Sequence, residues 1–267
     1  MNAVVATGVE FRYGDRVAIS ASDFSVPVGK ITAVIGPNGS GKSTLLNLIA
    51  GLSEPDRGSI QAFGAAPGEV RRRIAYVLQS ARVNEMMHVT VREVVAMGRY
   101  ATRGVFGRFT RDDRAAIDAA LDRMGIADLG PRHLHELSGG QRQRVFVAQG
   151  LAQDRDMLLL DEPLTGLDIV SAETIDGVIH EEADQGRTVV LTTHDLAEAS
   201  VSDHVVLLSG RVVATGPPRQ VLTPDHLSAA YGAGLLHADG VVFLDDPAHR
   251  PANPPHSHSN RGLPVEE

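Results

Sequence analysis

The chain has no cysteine among its 267 residues, so neither disulfide nor thiolate chemistry is open to it. That suits a reducing cytoplasm. It also lacks an excess of basic charge: 25 Lys and Arg stand against 33 Asp and Glu, a formal net charge of −8. General nucleic-acid binders are usually basic, so that class loses weight. No apolar run approaches the roughly 18 residues that a membrane span needs. The chain is therefore not expected to cross a membrane, although it can dock onto a protein that does. The opening residues, MNAVVATGVEFRYG, carry no basic region followed by an apolar stretch, and no signal peptide is expected. The length suffices for one α/β domain with a smaller insert.

What is present begins with Gly36 to Thr44, GPNGSGKST. It fits the phosphate-binding pattern G-x-x-x-x-G-K-[ST], with Gly36, Gly41, Lys42 and Ser43 in the fixed places and Pro37, Asn38, Gly39 and Ser40 between them. Ile31 to Ile35 before it is apolar and β-branched, as a buried parallel strand should be. Leu45 to Ala50 after it reads as a helix. Without side chains, the glycines let backbone N–H groups curl round phosphates, and the helix N-terminus adds its positive end. Lys42 is expected to reach the β- and γ-phosphates, and Ser43 to place its hydroxyl on Mg²⁺.

Around this loop the chain reads as strands and helices in turn. Ala3 to Phe11 alternates like an edge strand, and Val17 to Val28 is a second strand. Tyr13 lies just upstream of the loop. It can stack on a base, worth roughly 1–3 kcal/mol, or simply cap a hairpin. Ser59 to Phe63 and Ile74 to Leu78 are short strands, the second ending on Gln79. A polar residue there sits where open α/β sheets bind ligands. Gln79 could touch the metal or the attacking water, or merely cap the strand. Ser80 to Glu136 turns helical and reads as a subdomain inserted into the sheet domain. Its segment Gly98 to Arg108 repeats glycine and arginine. That is a solvated surface, or a face for acidic lipid or a partner.

Two further stretches carry chemistry. In Leu137-Ser138-Gly139-Gly140-Gln141, Ser138 is placed as an N-cap and the glycines leave N–H groups uncovered, which makes a second anion-binding helix start. One chain needs only one set of γ-phosphate contacts, so this surface is expected to bind nucleotide held by another copy. Met157 to Leu160 is an apolar strand that delivers Asp161 and Glu162. Asp161 suits Mg²⁺, and Glu162 can polarise a water, a role typically worth about 10²–10⁴ in rate. Thr188 to Thr192 is a strand leading to His194, able to hydrogen-bond a γ-phosphate. Val241 to Leu244 reads as a last strand. The tail from Asp245 on, residues 245–267, is rich in Pro, His, Asn and Ser and is expected to be disordered. Its His249, His256 and His258 read as a polar tail or as metal capture.

Together these motifs resemble the ATP-binding subunits of ABC transporters, over residues 3 to 232. The resemblance implies a P-loop NTPase of the ABC type: a RecA-like α/β core, an antiparallel β subdomain and an inserted α-helical subdomain at about 80–136, within a domain spanning 1–244. It also assigns roles. Tyr13 becomes the adenine-stacking residue, Gly36 to Thr44 the Walker A loop and Gln79 the Q-loop glutamine. Ser138 to Gln141 become the signature motif, and Asp161 closes Walker B. Glu162 becomes the catalytic glutamate, Asp168 the D-loop aspartate and His194 the switch histidine. ATP and Mg²⁺ are the implied cofactors. The implied partners are a second ATPase subunit, identical or not, a membrane permease and, indirectly, an extracytoplasmic solute-binding protein. Nucleic acid is not among them. The implied place is the cytoplasmic face of the membrane.

Val94 to Arg99 (VVAMGR), Arg103 to Arg108, Asp195 to Ala199 and Ala230 to Gly234 (AYGAG) look like importers for zinc or manganese. Iron-siderophore and cobalamin importers share some of this. Gln149-Gly150 stand where many members have Arg-Ala, and Leu164 replaces the commoner Thr or Phe. A soluble ABC ATPase acting on DNA or ribosomes is the alternative from another class. Such relatives usually carry coiled-coil insertions or tandem ATPase domains, and neither is seen in the sequence.

Overall fold

The computed structural model describes residues 1–78, 88–103, 108–232, 235–238 and 241–244, with the backbone alone for 101–103, 235–238 and 241–244. It begins with a hairpin of β1 (Asn2–Tyr13) and β2 (Arg16–Pro27). Gly14 in the turn has φ +58, a region that glycine adopts freely. β3 (Ile31–Ile35) is buried at every residue and feeds the glycine loop and α1 (Lys42–Ile49). β4 (Arg57–Ala62) then pairs antiparallel with β1 and completes a three-stranded sheet of order β2-β1-β4. β1 is thus the central strand of its sheet and not the edge strand its alternation suggested. Alternation reports that one face is buried, as Val4, Ala6 and Val9 are. It says nothing of how many neighbours pair with the strand.

Two 3-10 turns over Pro67–Glu69 and Arg71–Arg73 lead to β5 (Ile74–Val77). The helical insert follows, with α2 (Val91–Arg103) and α3 (Arg111–Arg123). Thr110 caps α3, and Asp113 returns the capping-box bond to the Thr110 N–H at 2.9 Å. Asp113 is fully buried and paired with Arg99 at 2.9 Å, which joins α2 to α3. Of the expected insert, residues 80–87 and 104–107 lie outside the described residues, as does the tail 245–267.

α4 (Gly139–Leu151), β6 (Met157–Leu160), α5 (Ile169–Asp184) and β7 (Thr188–Thr193) come next. They are followed by α6 (Leu196–Val201), β8 (His204–Leu208), β9 (Val212–Gly216), α7 (Pro218–Val221) and α8 (Pro224–Tyr231). A hairpin of β10 (Leu235–Ala238) and β11 (Val241–Leu244) ends the described chain. β10 went unread in the sequence, although Asp239-Gly240 between the strands is a hairpin signal.

The central sheet has the order β5-β6-β7-β3-β8-β9, parallel except for β9. Its strands alternate between two cores, as a period of two requires. Leu158, Leu160, Val189, Leu191, Val205 and Leu207 face the helical side. Leu159, Val190, Val206 and Val34 face α1 and the three-stranded sheet. Gly150, one of the departures from the family pattern, has a packing reason. A Cβ there would lie 2.5 Å from Val77 Cγ2, so α4 approaches β5 too closely for a side chain.

Candidate nucleotide site

Parallel register brings the chemistry to one edge of the sheet. Ile35 of β3 lies opposite Thr193 of β7, Leu160 of β6 opposite Leu191, and Val77 of β5 opposite Leu160. The residues just beyond, Gly36, Asp161, Glu162 and His194, therefore emerge side by side at the carboxyl ends of the strands. Gln79 follows the same logic from β5, but it lies outside the described residues.

Gly41, with φ +104, is the N-cap of α1, and no side chain caps that helix. Its first N–H groups are left for a ligand. A Cβ at Gly36 would overlap the Leu208 carbonyl, so that position admits only glycine without a shift of β8. Lys42 is buried, and its ammonium donates to the Gly36 carbonyl at 2.9 Å. Ser40 Oγ is buried with no hydrogen-bond partner, a polar atom aimed at nothing in the protein itself. Ser43 is exposed at the head of α1. Tyr13 is half exposed; its hydroxyl lies 3.4 Å from Thr44 Oγ1, and its ring meets Phe11 edge-on. A cavity of about 250 Å³ is lined by Tyr13, Arg16 and Ala18, by Asn38, Gly39, Gly41, Lys42, Ser43 and Thr44 of the loop, and by Glu162. Arg16 and Ala18 went unread in the sequence. They arrive because the β1–β2 hairpin folds over the loop.

Asp161 is buried, and Thr192 Oγ1 donates to its Oδ1 at 2.6 Å. The same Thr192 oxygen accepts the Glu162 N–H at 2.8 Å. Glu162 holds φ +49, a left-handed backbone that a residue with a Cβ rarely adopts and that costs of order 1–3 kcal/mol. His194 is exposed at the end of β7. Four residues on, burial raises the Glu198 carboxyl above its ordinary pKa, against a hydrogen bond from Thr193 that lowers it. Tyr76 of β5 also belongs here. Its hydroxyl is buried without a partner, and burial, then the Asp161 carboxylate, then Tyr13 push its pKa well above the usual tyrosine value. The signal for it was a polar-tipped aromatic in an otherwise aliphatic strand.

The signature stretch stands apart, for none of its residues lines the cavity. Ser138 caps α4, accepting from the Gln141 N–H at 3.2 Å, while Gln141 Oε1 accepts from the Ser138 N–H at 3.0 Å. Gly139 faces open space. Gly140 does not: a Cβ there would overlap Asp168 Oδ2 and lie 2.5 Å from Ser171 Oγ. Asp168 caps α5 by accepting from the Ser171 N–H and hydroxyl, each at 2.9 Å, and these bonds hold its carboxyl below the usual range. Asp168 is thus brought to the signature helix of its own chain, not to the cavity.

Comparison with known proteins agrees with this geometry. The ABC transporter family profile matches residues 19–165. The manganese transport system ATP-binding protein MntA of Synechocystis sp. is 37% identical over 229 residues, 84% of this chain and 88% of its own. The zinc transport system ATP-binding protein TroB of Treponema pallidum is 37% identical over 234 residues, 87% of this chain and 88% of its own. A solved ATP-binding cassette, dimeric in a post-hydrolysis state with ADP and phosphate, superposes with a TM-score of 0.71 at 26% identity, covering 81% of this chain and 99% of that one. The chain belongs to the ABC transporter family, among its ATP-binding subunits, which hydrolyse ATP.

Proposed function

We propose that this chain drives uptake of a divalent transition metal, manganese or zinc, by hydrolysing ATP between two ATPase subunits that act on a membrane permease. One observation carries the two-subunit part. The chain presents a phosphate loop at one place and a second capped helix start, Ser138 to Gln141, that does not line the same cavity. Each half-site fits the other half on a second copy. The manganese and zinc systems named for the relatives support the cargo. The permease sits outside this chain: among the described residues no helix is long and apolar enough to cross a membrane. On this reading a domain over 1–244 works at the cytoplasmic face, and a solute-binding protein delivers the metal from outside.

The residues divide the chemistry. Tyr13 stacks on the adenine. The glycine loop and Lys42 take the phosphates, Lys42 exchanging its carbonyl partners in the loop for phosphate oxygens. The buried carboxylate of Asp161 and the exposed hydroxyl of Ser43 are hard oxygen donors and fit Mg²⁺, with Gln79 as a further ligand. Mg²⁺ held by these residues would offset the negative charge of the phosphates. Glu162 accepts the proton of the attacking water as its oxygen bonds to the γ-phosphorus and the bond to ADP breaks. His194 donates to the γ-phosphate, and the partner copy's signature glycines close over it.

The test is metal accumulation in cells carrying Glu162→Gln, scored for zinc, manganese and iron together. Accumulation of zinc or manganese should collapse while the variant still binds ATP. Unchanged accumulation of both would overturn the metal assignment.

A further inference from the structure

Outside the nucleotide site, three histidines meet where the start of the helical insert passes the turn before the signature helix. A short antiparallel clip brings them together. Leu134 N–H donates to the Val89 carbonyl at 2.9 Å, Val91 N–H to the Arg132 carbonyl at 2.9 Å, and Thr90 bridges His133. His135 follows in a 3-10 turn, Leu134–Glu136, and its ring comes up beside that of His88. The ring centroids form a near-equilateral triangle: 6.1 Å from His88 to His133, 5.9 Å from His88 to His135 and 5.6 Å from His133 to His135. His133 Nδ1 is shut from solvent with no hydrogen-bond partner. Two carboxylates flank the clip. Glu136 accepts from the His133 N–H at 2.8 Å, and Glu93 accepts from the Thr90 N–H and hydroxyl at 2.8 Å each.

We propose that His88, His133 and His135 bind one divalent transition ion of the zinc class. An imidazole nitrogen sits about 2 Å from zinc, which puts each ring centroid about 3 Å from the ion and three such centroids roughly 5–6 Å apart. The observed triangle is that size or slightly wider. No three such side chains among the described residues yet turn their ligand atoms to one point, so binding requires the rings to rotate while their backbones stay in place. Water completes the shell. Three neutral imidazoles favour zinc, copper or nickel over magnesium, calcium and manganese, which prefer oxygen.

The clip lies between two motifs. His88 follows Gln79 by nine residues, and His135 precedes Ser138 by three. An ion held here cross-links the chain that leads away from one motif to the chain that leads into the other, and so slows ATP turnover. That effect rests on the role proposed above for the signature stretch; the binding does not.

The experiment is zinc titration calorimetry on the full nucleotide-free chain with the tail histidines removed (His249→Asn, His256→Asn, His258→Asn). It is compared with the same protein carrying His88→Asn, His133→Asn and His135→Asn as well. The triad should account for one zinc equivalent, lost in the second protein, together with a zinc-dependent rise in melting temperature. Equal heats and equal stoichiometry in both would overturn the site. The single exposed substitution His88→Asn, expected to weaken zinc binding at least tenfold, serves if the triple variant does not fold. In the same pair, zinc should lower Mg²⁺-dependent ATP turnover at least twofold only where the triad is intact. Loss of the equivalent without that difference would overturn the regulatory role. A low rate in both without zinc would count against the ATPase reading instead.

Discussion

The hydroxyl of Thr192 donates to the buried carboxylate of Asp161 at 2.6 Å, from the neighbouring strand of the sheet. Its oxygen also accepts the backbone N–H of Glu162. One threonine thus fixes both acids, and it supports the left-handed backbone at Glu162. Thr192→Val keeps the shape and removes both bonds. Stability should fall by about 1–3 kcal/mol through the unsatisfied partners. ATP turnover should fall on the order of 10²-fold as Glu162 loses its position. Steady-state hydrolysis alongside ATP affinity checks this, and wild-type turnover in a folded variant would sink it.

The two signature glycines should respond oppositely to alanine. At Gly140 the new methyl meets Asp168 and Ser171 and disturbs the cap of α5. The expected cost is about 0.5–2 kcal/mol. At Gly139 the space is open, and alanine in a helix is neutral to stabilising by up to about 1 kcal/mol. Melting temperatures of the two variants give the comparison; equal destabilisation would refute the packing account.

Glu182 on α5 is buried between Arg123 of α3, at 2.6 Å, and Arg187, at 2.7 Å. It ties the helical insert to the sheet domain. Glu182→Gln should cost roughly 3 kcal/mol, the low end for a broken buried pair because both arginines are partly exposed. Urea denaturation reads the loss directly, and a change under about 0.5 kcal/mol would mark the pair as a surface contact.

Glu198 gives a pH signature near His194. Burial raises its pKa in the folded chain, so folding is favoured while it is protonated and loses that support as pH rises through the folded value. Glu198→Gln cannot ionise. It should therefore raise the melting temperature at pH 8, and the gain should fade as pH falls below the ordinary glutamate range. A gain independent of pH would rule this cause out.

Features that are local along the chain were legible in the residues alone. Gly36, Gly41, Lys42 and Ser43 sit at fixed spacing because one loop must wrap one phosphate group. Ser138 and Gln141 are three apart because a capping box needs that interval. Asp161, Glu162 and His194 each follow an apolar strand. Strands were likewise readable from residue type and period, β10 excepted.

Contacts between residues far apart in the chain are settled by the fold. The contact of Thr192 with Asp161, the approach of Gly140 to Asp168, the place of Arg16 in the cavity and the meeting of His88 with His135 all follow from strand order, register and helix packing. The same holds for the central position of β1, since its residues record which face is buried but not which strands flank it. Local spacing is set by bond geometry and survives in a one-dimensional string. Pairing and close approach are set by the free energy of the whole packed core, in which each residue's partner is chosen jointly with all the others.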